Sequence, residues 1–320
     1  MTPQPLVIRP DIRLAMLGMV DGNGHPYSWS AIINGGYDSE ALAKCPYAAI
    51  RDYLAKQPKE TLGIPGVKVT HVWTDDPADA PQVAKCSLIP NVVSNATDVI
   101  GQVDAVLVAA DKGHEHVERC RPFVEAGIPV FVDKPLADNL PDLRVFMRWV
   151  AEGRPLMSSS CMRYAKEFMP YRISTHDLGE LRFVSITTPK TWERYGLHAL
   201  EAIYPILGPG FVSVRNTGSF NRNVVHLKHR SGVDCVVVAN RDMYGASGVL
   251  TLCGTAGTAT ARFSDAYVAF KTQIEAFVGY LRTGVRPFPF EETRELMQLV
   301  IGGILSRDRG GREVPVDELE

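Results

Sequence analysis

Apolar residues in the first half of the chain fall in short dense runs separated by stretches of helical spacing. Ile12–Gly18, Val67–Trp73, Val103–Ala109, Pro129–Val132 and Pro155–Ser160 are rich in β-branched, aromatic and aliphatic residues and too short for helices. Each predicts a buried strand. Between them, Tyr47–Lys56 predicts a helix, and a second runs through Phe123–Ala126 to Gly127, a glycine suited to a helix C-terminus. Asp138–Ala151 predicts a third, with Leu140, Leu143, Phe146, Met147 and Val150 at helical spacing. Strands alternating with helices predict an α/β fold with a doubly wound parallel sheet.

After Met162 the texture changes. Glu180–Thr188, Phe211–Arg215, Val224–Lys228, Asp234–Ala239 and Val249–Cys253 are short β-rich runs with few helices between them. They predict an α+β domain built on a largely antiparallel, open-faced sheet. Helices are expected at His198–Leu207, ended by Gly208-Pro209-Gly210, and near Ala266–Arg282 and Glu291–Arg307. The expected division is a nucleotide-binding domain over 1–162, with an insert at 34–66, and a substrate-binding and oligomerisation domain over 163–320.

Composition narrows the class. With 320 residues, 45% of them hydrophobic and 22% charged, the chain can support two cores. A net charge of −2 carries no footprint of nucleic acid or anionic membrane. The 6 cysteines are dispersed with no Cys-x-x-Cys pair, which predicts reduced thiols in a cytoplasmic protein. The N-terminal stretch lacks a basic region before its apolar run and reads as a first strand, not a signal peptide. No apolar stretch approaches the ~20 residues of a membrane helix.

Candidate chemistry gathers at strand ends. Asp133-Lys134-Pro135 terminates the Pro129–Val132 strand, and Pro135 restricts Lys134 to extended geometry at the sheet's carboxyl edge, where ligands bind in open parallel sheets. A lysine placed there can act as acid or base, or can be a solvated turn residue. The first strand runs into Gly18, Gly22, Asn23, Gly24 and His25, a glycine turn before a helix start. That is the plan of a phosphate cradle, though its spacing is not G-x-G-x-x-G and a tight turn accounts for it as well. Asp75 closes the second strand, where an acidic residue grips ribose hydroxyls; capping the next helix is the alternative. His114-Glu115-His116 lacks the ligand spacing of a metal site, and no metal is expected. Lys190, Trp192 and Tyr195 precede His198 on an expected strand-to-helix loop and are candidates to line a substrate pocket, with core packing the alternative for Trp192.

The stretch from Asp104 to Asn139 resembles the signature of the glucose–fructose oxidoreductase/inositol dehydrogenase (Gfo/Idh/MocA) family. A strand precedes His116, a helix ends in Ala126-Gly127, and the next strand ends in Asp133-Lys134-Pro135 where the family has Glu-Lys-Pro. Arg194 to Gly208 resembles the family's helix start around an active-site histidine. The resemblance implies a Rossmann-type domain, an NAD cofactor with NADP not excluded, and hydride transfer at a secondary alcohol of a sugar, polyol or related compound. It implies Lys134 and His198 as catalytic residues, and Ala110, His116, Asp133 and Arg163 beside the cofactor. Tyr164 would face substrate, and the chain would form a homo-oligomer. Arg194 stands where the family commonly has Asp, which makes an anionic group on the substrate conceivable, and Glu201 also replaces an Asp. A non-catalytic nucleotide-binding sensor and a redox-neutral NAD-assisted lyase or glycosidase are the competing readings. Asp75-Asp76 favours NAD, since it would repel a 2′-phosphate and no Arg follows closely in sequence.

Overall fold

A computed structural model describes residues 3–319; Met1, Thr2 and Glu320, the outer ends of the two expected domains, lie outside the described residues. In the first half, strands β1 (Ile12–Leu17), β2 (Val67–Trp73), β3 (Asn91–Val92), β4 (Ala105–Val108), β5 (Val130–Val132) and β6 (Leu156–Ser158) form one sheet. Its order is β3-β2-β1-β4-β5-β6, and every pairing is parallel. Strands β4, β5 and β6 are buried on both faces, as the interior of an all-parallel sheet requires, while the edge strand β3 is exposed. Helices α1 (His25–Asn34), α2 (Ser39–Ala43), α3 (Ala48–Ala55), α4 (Ala80–Cys86), α5 (His116–Glu125) and α6 (Leu140–Ala151) connect them. Strand order reverses between β1 and β4, so the crevice outside their carboxyl ends is the switch point where such sheets bind ligands.

The second half adds α7 (Met169–Ile173), β7 (Leu181–Pro189), α8 (Trp192–Leu207), β8 (Phe211–Asn216), β9 (Arg222–His229) and β10 (Asp234–Asn240). It continues through β11 (Val249–Gly254), β12 (Thr258–Arg262), α9 (Ala266–Thr283), α10 (Phe290–Asp308) and β13 (Val314–Pro315). The sheet order is β12-β11-β7-β10-β9-β8-β13. It is mixed: β7 and β10 run parallel at its centre, with antiparallel pairs around them. Alternation puts Val184, Ile186, Val225, Leu227, Cys235 and Val237 inward, while Thr187, Val224, Val236 and Val238 line the open face. The strand over 258–262 is not among the expected runs: it has no buried residue and so no apolar run to detect. One expectation is corrected. Helix α8 begins at Trp192, not His198, because the Trp192 ring buries against α10 and extends the helix backwards.

The halves are interlocked. Helix α9, late in sequence, places Tyr267, Ile274, Phe277 and Leu281 in one core cluster with Leu14, Trp29, Ile32 and Val69 of the first domain. The N-terminal segment closes over it, with the N–H groups of Leu6 and Val7 both donating to Leu281 O. Asn34 pins the end of α1: its Nδ2 donates to Val69 O and Ser87 O, and its Oδ1 accepts the Val69 N–H at 2.8 Å. The insert folds back from that point, so that α3 lies over the start of α1. A Cβ at Gly24 would stand 2.4 Å from the Tyr47 ring and 2.5 Å from Ile50 Cδ1, so only glycine permits this approach. Gly24→Ala is expected to cost about 1–3 kcal/mol by overpacking and to expose the insert, read as a lower urea midpoint with faster proteolysis within 34–66. An unchanged midpoint and cleavage rate would mean that α3 is not docked as described.

Candidate active site

Strand β5 delivers Asp133 and Lys134 to the carboxyl edge, with the Lys134–Pro135 peptide cis. Strand β4 delivers Asp111 beside them. Asp111 and Lys134 are each 2% exposed, and Lys134 Nζ lies 3.6 Å from Asp111 Oδ2 and donates to Arg194 O at 3.2 Å. Arg194, in the first turn and a half of α8, grips Asp111 with Nη2 2.6 Å from Oδ1 and Nε 3.0 Å from Oδ2. Burial pushes the Asp111 carboxyl up, but Lys134, the Arg194 hydrogen bond and Lys190 outweigh it and hold it at about 2. A buried carboxylate shared by two cations thus joins the two domains and fixes the lysine's position.

His198 comes from the next turn of α8. Its Nδ1 lies 2.6 Å from Ser160 Oγ, which follows β6 and also accepts the Met162 N–H, and its ring stands edge-on to Tyr195 at 4.6 Å. Burial, then Lys134, His25 and Lys190, push its pKa well below 6.5, so the ring is neutral. Asp133 is fully buried and accepts from Asn23 Nδ2 at 2.8 Å, from its neighbour's N–H at 2.8 Å and from His25 Nδ1 at 2.7 Å. Burial raises the Asp133 pKa, but the charge and hydrogen bond of His25, with Lys134, bring it below the usual carboxylate range.

These groups surround a cavity of about 580 Å³ whose lining includes Gly22, Asn23, His25, Lys134, Lys190, Tyr195 and His198. Its walls are aromatic and aliphatic: Tyr47, Ile50 and Tyr53 from the insert, Phe263 and Phe270 from the second half. A second cavity, about 830 Å³, shares Gly22, Pro46 and Tyr47 with the first and extends to Met19, Asp75, Asp76, Glu115 and Arg119. Together they form one cleft along the carboxyl edge of the parallel sheet.

The glycine turn fits a dinucleotide phosphate. Gly18 and Gly22 have positive φ, 94° and 76°. A Cβ at Gly22 would stand 3.6 Å from the Arg194 guanidinium and 3.8 Å from Lys190 Nζ, so the backbone faces two cations of the other domain. At the far end Asp75 Oδ2 accepts the Met19 N–H at 2.9 Å, which seats the carboxylate against the turn as a ribose-binding residue requires.

Several expected site residues lie elsewhere, for packing reasons. Trp192 is fully buried, donates from Nε1 to Val300 O at 2.8 Å and fills the space left by Gly196 and Gly303, so it joins α8 to α10 and lines no pocket. Arg163 is bound by Glu201 at 2.9 Å and Glu292 at 2.8 Å and stacks on Phe288, away from the cleft. Tyr164, beside it, lines neither cavity, and its hydroxyl is buried without a partner. His116 lies between two carbonyl acceptors, Nε2 2.8 Å from Ala110 O and Nδ1 3.2 Å from Leu136 O, which ties the ends of β4 and β5 together and occupies the Ala110 carbonyl. His114 turns outward to Asp138, so the two histidines flanking Glu115 face apart. Arg194 is occupied by Asp111 and does not await a substrate anion.

Sequence reading passed over Asp111, Ser160 and the cavity walls at Tyr47, Tyr53, Phe263 and Phe270. Asp111 could have been found: it stands just past the most apolar strand, at the same sheet edge as Lys134. The aromatic walls come from segments whose order along the chain says nothing of their meeting.

Comparison with known proteins bears on the fold that carries this site. Residues 45–155 match the family described as "Oxidoreductase family, NAD-binding Rossmann fold". Inositol 2-dehydrogenase 1 of Saccharopolyspora erythraea is 39% identical over 108 residues, 32% of this chain and 32% of that protein. The sequence match thus spans about a third of that curated relative. Among solved structures, myo-inositol 2-dehydrogenase from Lactobacillus plantarum aligns at TM-score 0.72 and 17% identity, covering 95% of this chain and 99% of that one. GenD2 from gentamicin A biosynthesis, solved with NAD, aligns at TM-score 0.73 and 17% identity, covering 98% and 99%. At these identities the structural likeness is one of fold, and it extends over both domains.

Removing Asp111 leaves two cations unpaired in the interior. Asp111→Ala is expected to cost about 3–5 kcal/mol at neutral pH. Because the folded-state pKa is depressed, this stabilisation is complete above the ordinary aspartate value near ~4 and is lost as pH falls through about 2. Urea unfolding of both proteins at pH 7 and at progressively lower pH checks this: the gap should narrow on acidification, and a variant as stable as wild type at pH 7 would remove the cluster's structural role.

Proposed function

We propose, from the premise that the nucleotide-binding domain belongs to the Gfo/Idh/MocA oxidoreductase family, that the chain is an NAD-dependent dehydrogenase. It moves a hydride between nicotinamide and the secondary alcohol carbon of a sugar, polyol or related hydroxy compound. The observation that supports this most directly is the meeting of Lys134, from the parallel sheet, and His198, from α8, at one cavity that adjoins a dinucleotide-sized cleft.

Bound NAD supplies the hydride acceptor. The turn at Gly18–Gly24, with Lys190 above it, would hold the phosphates, and Asp75 the ribose. The protein's own part is to orient the substrate and handle the hydroxyl proton. Lys134, fixed by Asp111 and by the Arg194 carbonyl, presents a cation to the substrate oxygen and favours its alkoxide character. His198 is kept neutral and can share a hydrogen bond with the same oxygen. Tyr53, Phe263 and Phe270 can cover the C–H faces of a ring substrate and exclude water.

NAD is favoured over NADP. The structure brings an arginine to Asp75 after all: Arg119 of α5, 2.6 Å away, although it is remote in sequence. That guanidinium is also held by Glu115 at 2.6 Å, and Asp76 and Asp79 line the same cleft, so a 2′-phosphate would meet an excess of carboxylates. We assign the open face of the mixed sheet, with Phe183 and Val224 exposed, to a homo-oligomer contact. No helix among the described residues is long and apolar enough to cross a membrane. The free thiols suit a cytoplasmic location.

Lys134→Ala is expected to lower kcat by at least about 10²–10³-fold while NAD affinity, measured by calorimetry, stays near wild type; near-normal turnover would remove the mechanism. Asp75→Ala should weaken NAD about tenfold, the loss of roughly one charge-assisted hydrogen bond, and narrow the preference over NADP. Equal affinities in wild type would refute the cofactor assignment. A crystal soaked with NAD and a panel of polyols, sugars and sugar acids tests the substrate class, since the bound carbinol carbon must lie against the nicotinamide.

A further inference from the structure

We propose that His25, held by Asp133, is the general base of this site and takes the hydroxyl proton of the substrate. This rests on the dehydrogenase reading above but assigns the proton to a residue that neither the glycine-turn pattern nor the family signature singles out for chemistry.

The case is one of fixed tautomers. Asp133 is ionised and can only accept, so the 2.7 Å contact from His25 requires the proton on Nδ1. Asn23 Nδ2 and the Lys134 N–H hold the same carboxylate in place. Whenever the ring is neutral, the other nitrogen, Nε2, therefore carries the lone pair. It has no hydrogen bond among the described residues, and the side chain, 15% exposed, lines the cavity. The ring itself cannot turn freely: Trp29 stacks on it at 4.3 Å and Phe270 meets it edge-on at 5.2 Å. His198 lacks this definition. Its Nδ1 contacts a serine hydroxyl, which can donate or accept, so no tautomer is imposed there. The charged and titratable groups around His25 are Asp133 and Lys134 at the end of β5, Asp111 after β4, Tyr47 and Tyr53 from the insert, Cys161 after β6, Lys190, Tyr195 and His198 from the α8 side, and Tyr244 after β10.

The step balances as follows. The carbinol C–H bond breaks with its electron pair leaving as hydride to NAD, and the O–H proton passes to His25 Nε2. The oxygen's electron pair closes the C=O bond. The imidazolium so formed carries protons on both nitrogens, is stabilised by Asp133, and is discharged to solvent; in the reverse direction it returns the proton. Lys134 stabilises the oxygen throughout and need not change protonation.

Long-range ¹H–¹⁵N correlation spectra of the full-length labelled protein, without substrate, read the tautomer directly. His25 is expected to carry its proton on Nδ1 when neutral, and a neutral His25 protonated at Nε2 overturns the proposal whatever the reaction proves to be. In turnover with NAD and myo-inositol as the probe alcohol, His25→Ala is expected to lower kcat about 10²–10⁴-fold, abolish the acid limb of its pH profile, and regain part of the rate with added imidazole. NAD affinity should stay within about threefold, or ~0.7 kcal/mol. A His25→Gln variant that keeps the rate and the acid limb also overturns the base assignment, while leaving the dehydrogenase reading intact. Wild-type protein that forms no NADH from any alcohol of the panel counts against that reading instead, and the tautomer spectrum still decides the dyad.

Discussion

The structure is organised around one buried charge cluster, Asp111 with Lys134 and Arg194. Each member alone would be costly in the interior, since an unpaired buried ion loses several kcal/mol of solvation. Lys134 and Asp111 pair within the first half, and Arg194, from the second half, completes the cluster only when the halves are docked. The position of the lysine ammonium is therefore set by the domain interface and not by the flexibility of its side chain.

The rest of the site follows from what can approach that cluster. The glycine turn must pass close beneath Lys190 and Arg194, whose side chains donate to Gly22 O and Asp21 O. Lys190 itself has φ of 61°, an uncommon backbone state for a residue with a side chain, at the junction between β7 and α8. Asp133, adjacent in sequence to Lys134, points the other way and organises Asn23 and His25. Successive residues just past one strand end thus serve two different groups, Asp133 bonding His25 and Lys134 pairing with Asp111.

The insert at 34–66 is part of the site. Its α3 helix brings Tyr47, Ile50 and Tyr53 onto the cleft and meets Phe270 of α9, with the Tyr53 and Phe270 rings 6.2 Å apart. Helix α9 in turn is embedded in the first domain's core. The wall of the cavity is thereby tied to the sheet that carries Lys134, so substrate shape and lysine position are determined by one packed unit.

The chain's own pattern determined much of this. Buried parallel strands announce themselves as dense apolar runs, and five of the six in the first sheet are legible, with β2 matching to its ends; the two-residue, exposed β3 had no such run to offer. Lys134 is legible because a proline after a strand end confines it, and the resemblance around it points to the same residue and to His198. What only the tertiary structure decided is which polar groups meet. Trp192, Arg163 and His116 carry the side chains expected of a site, yet burial and local partners turn them into packing and bracing residues. Asp111 and His25 gain their chemistry from groups distant in sequence, at 134 and 194 for one and at 133 for the other. Periodicity reports burial, a local property of each segment; ion pairing and tautomer depend on the field of neighbours that only folding assembles.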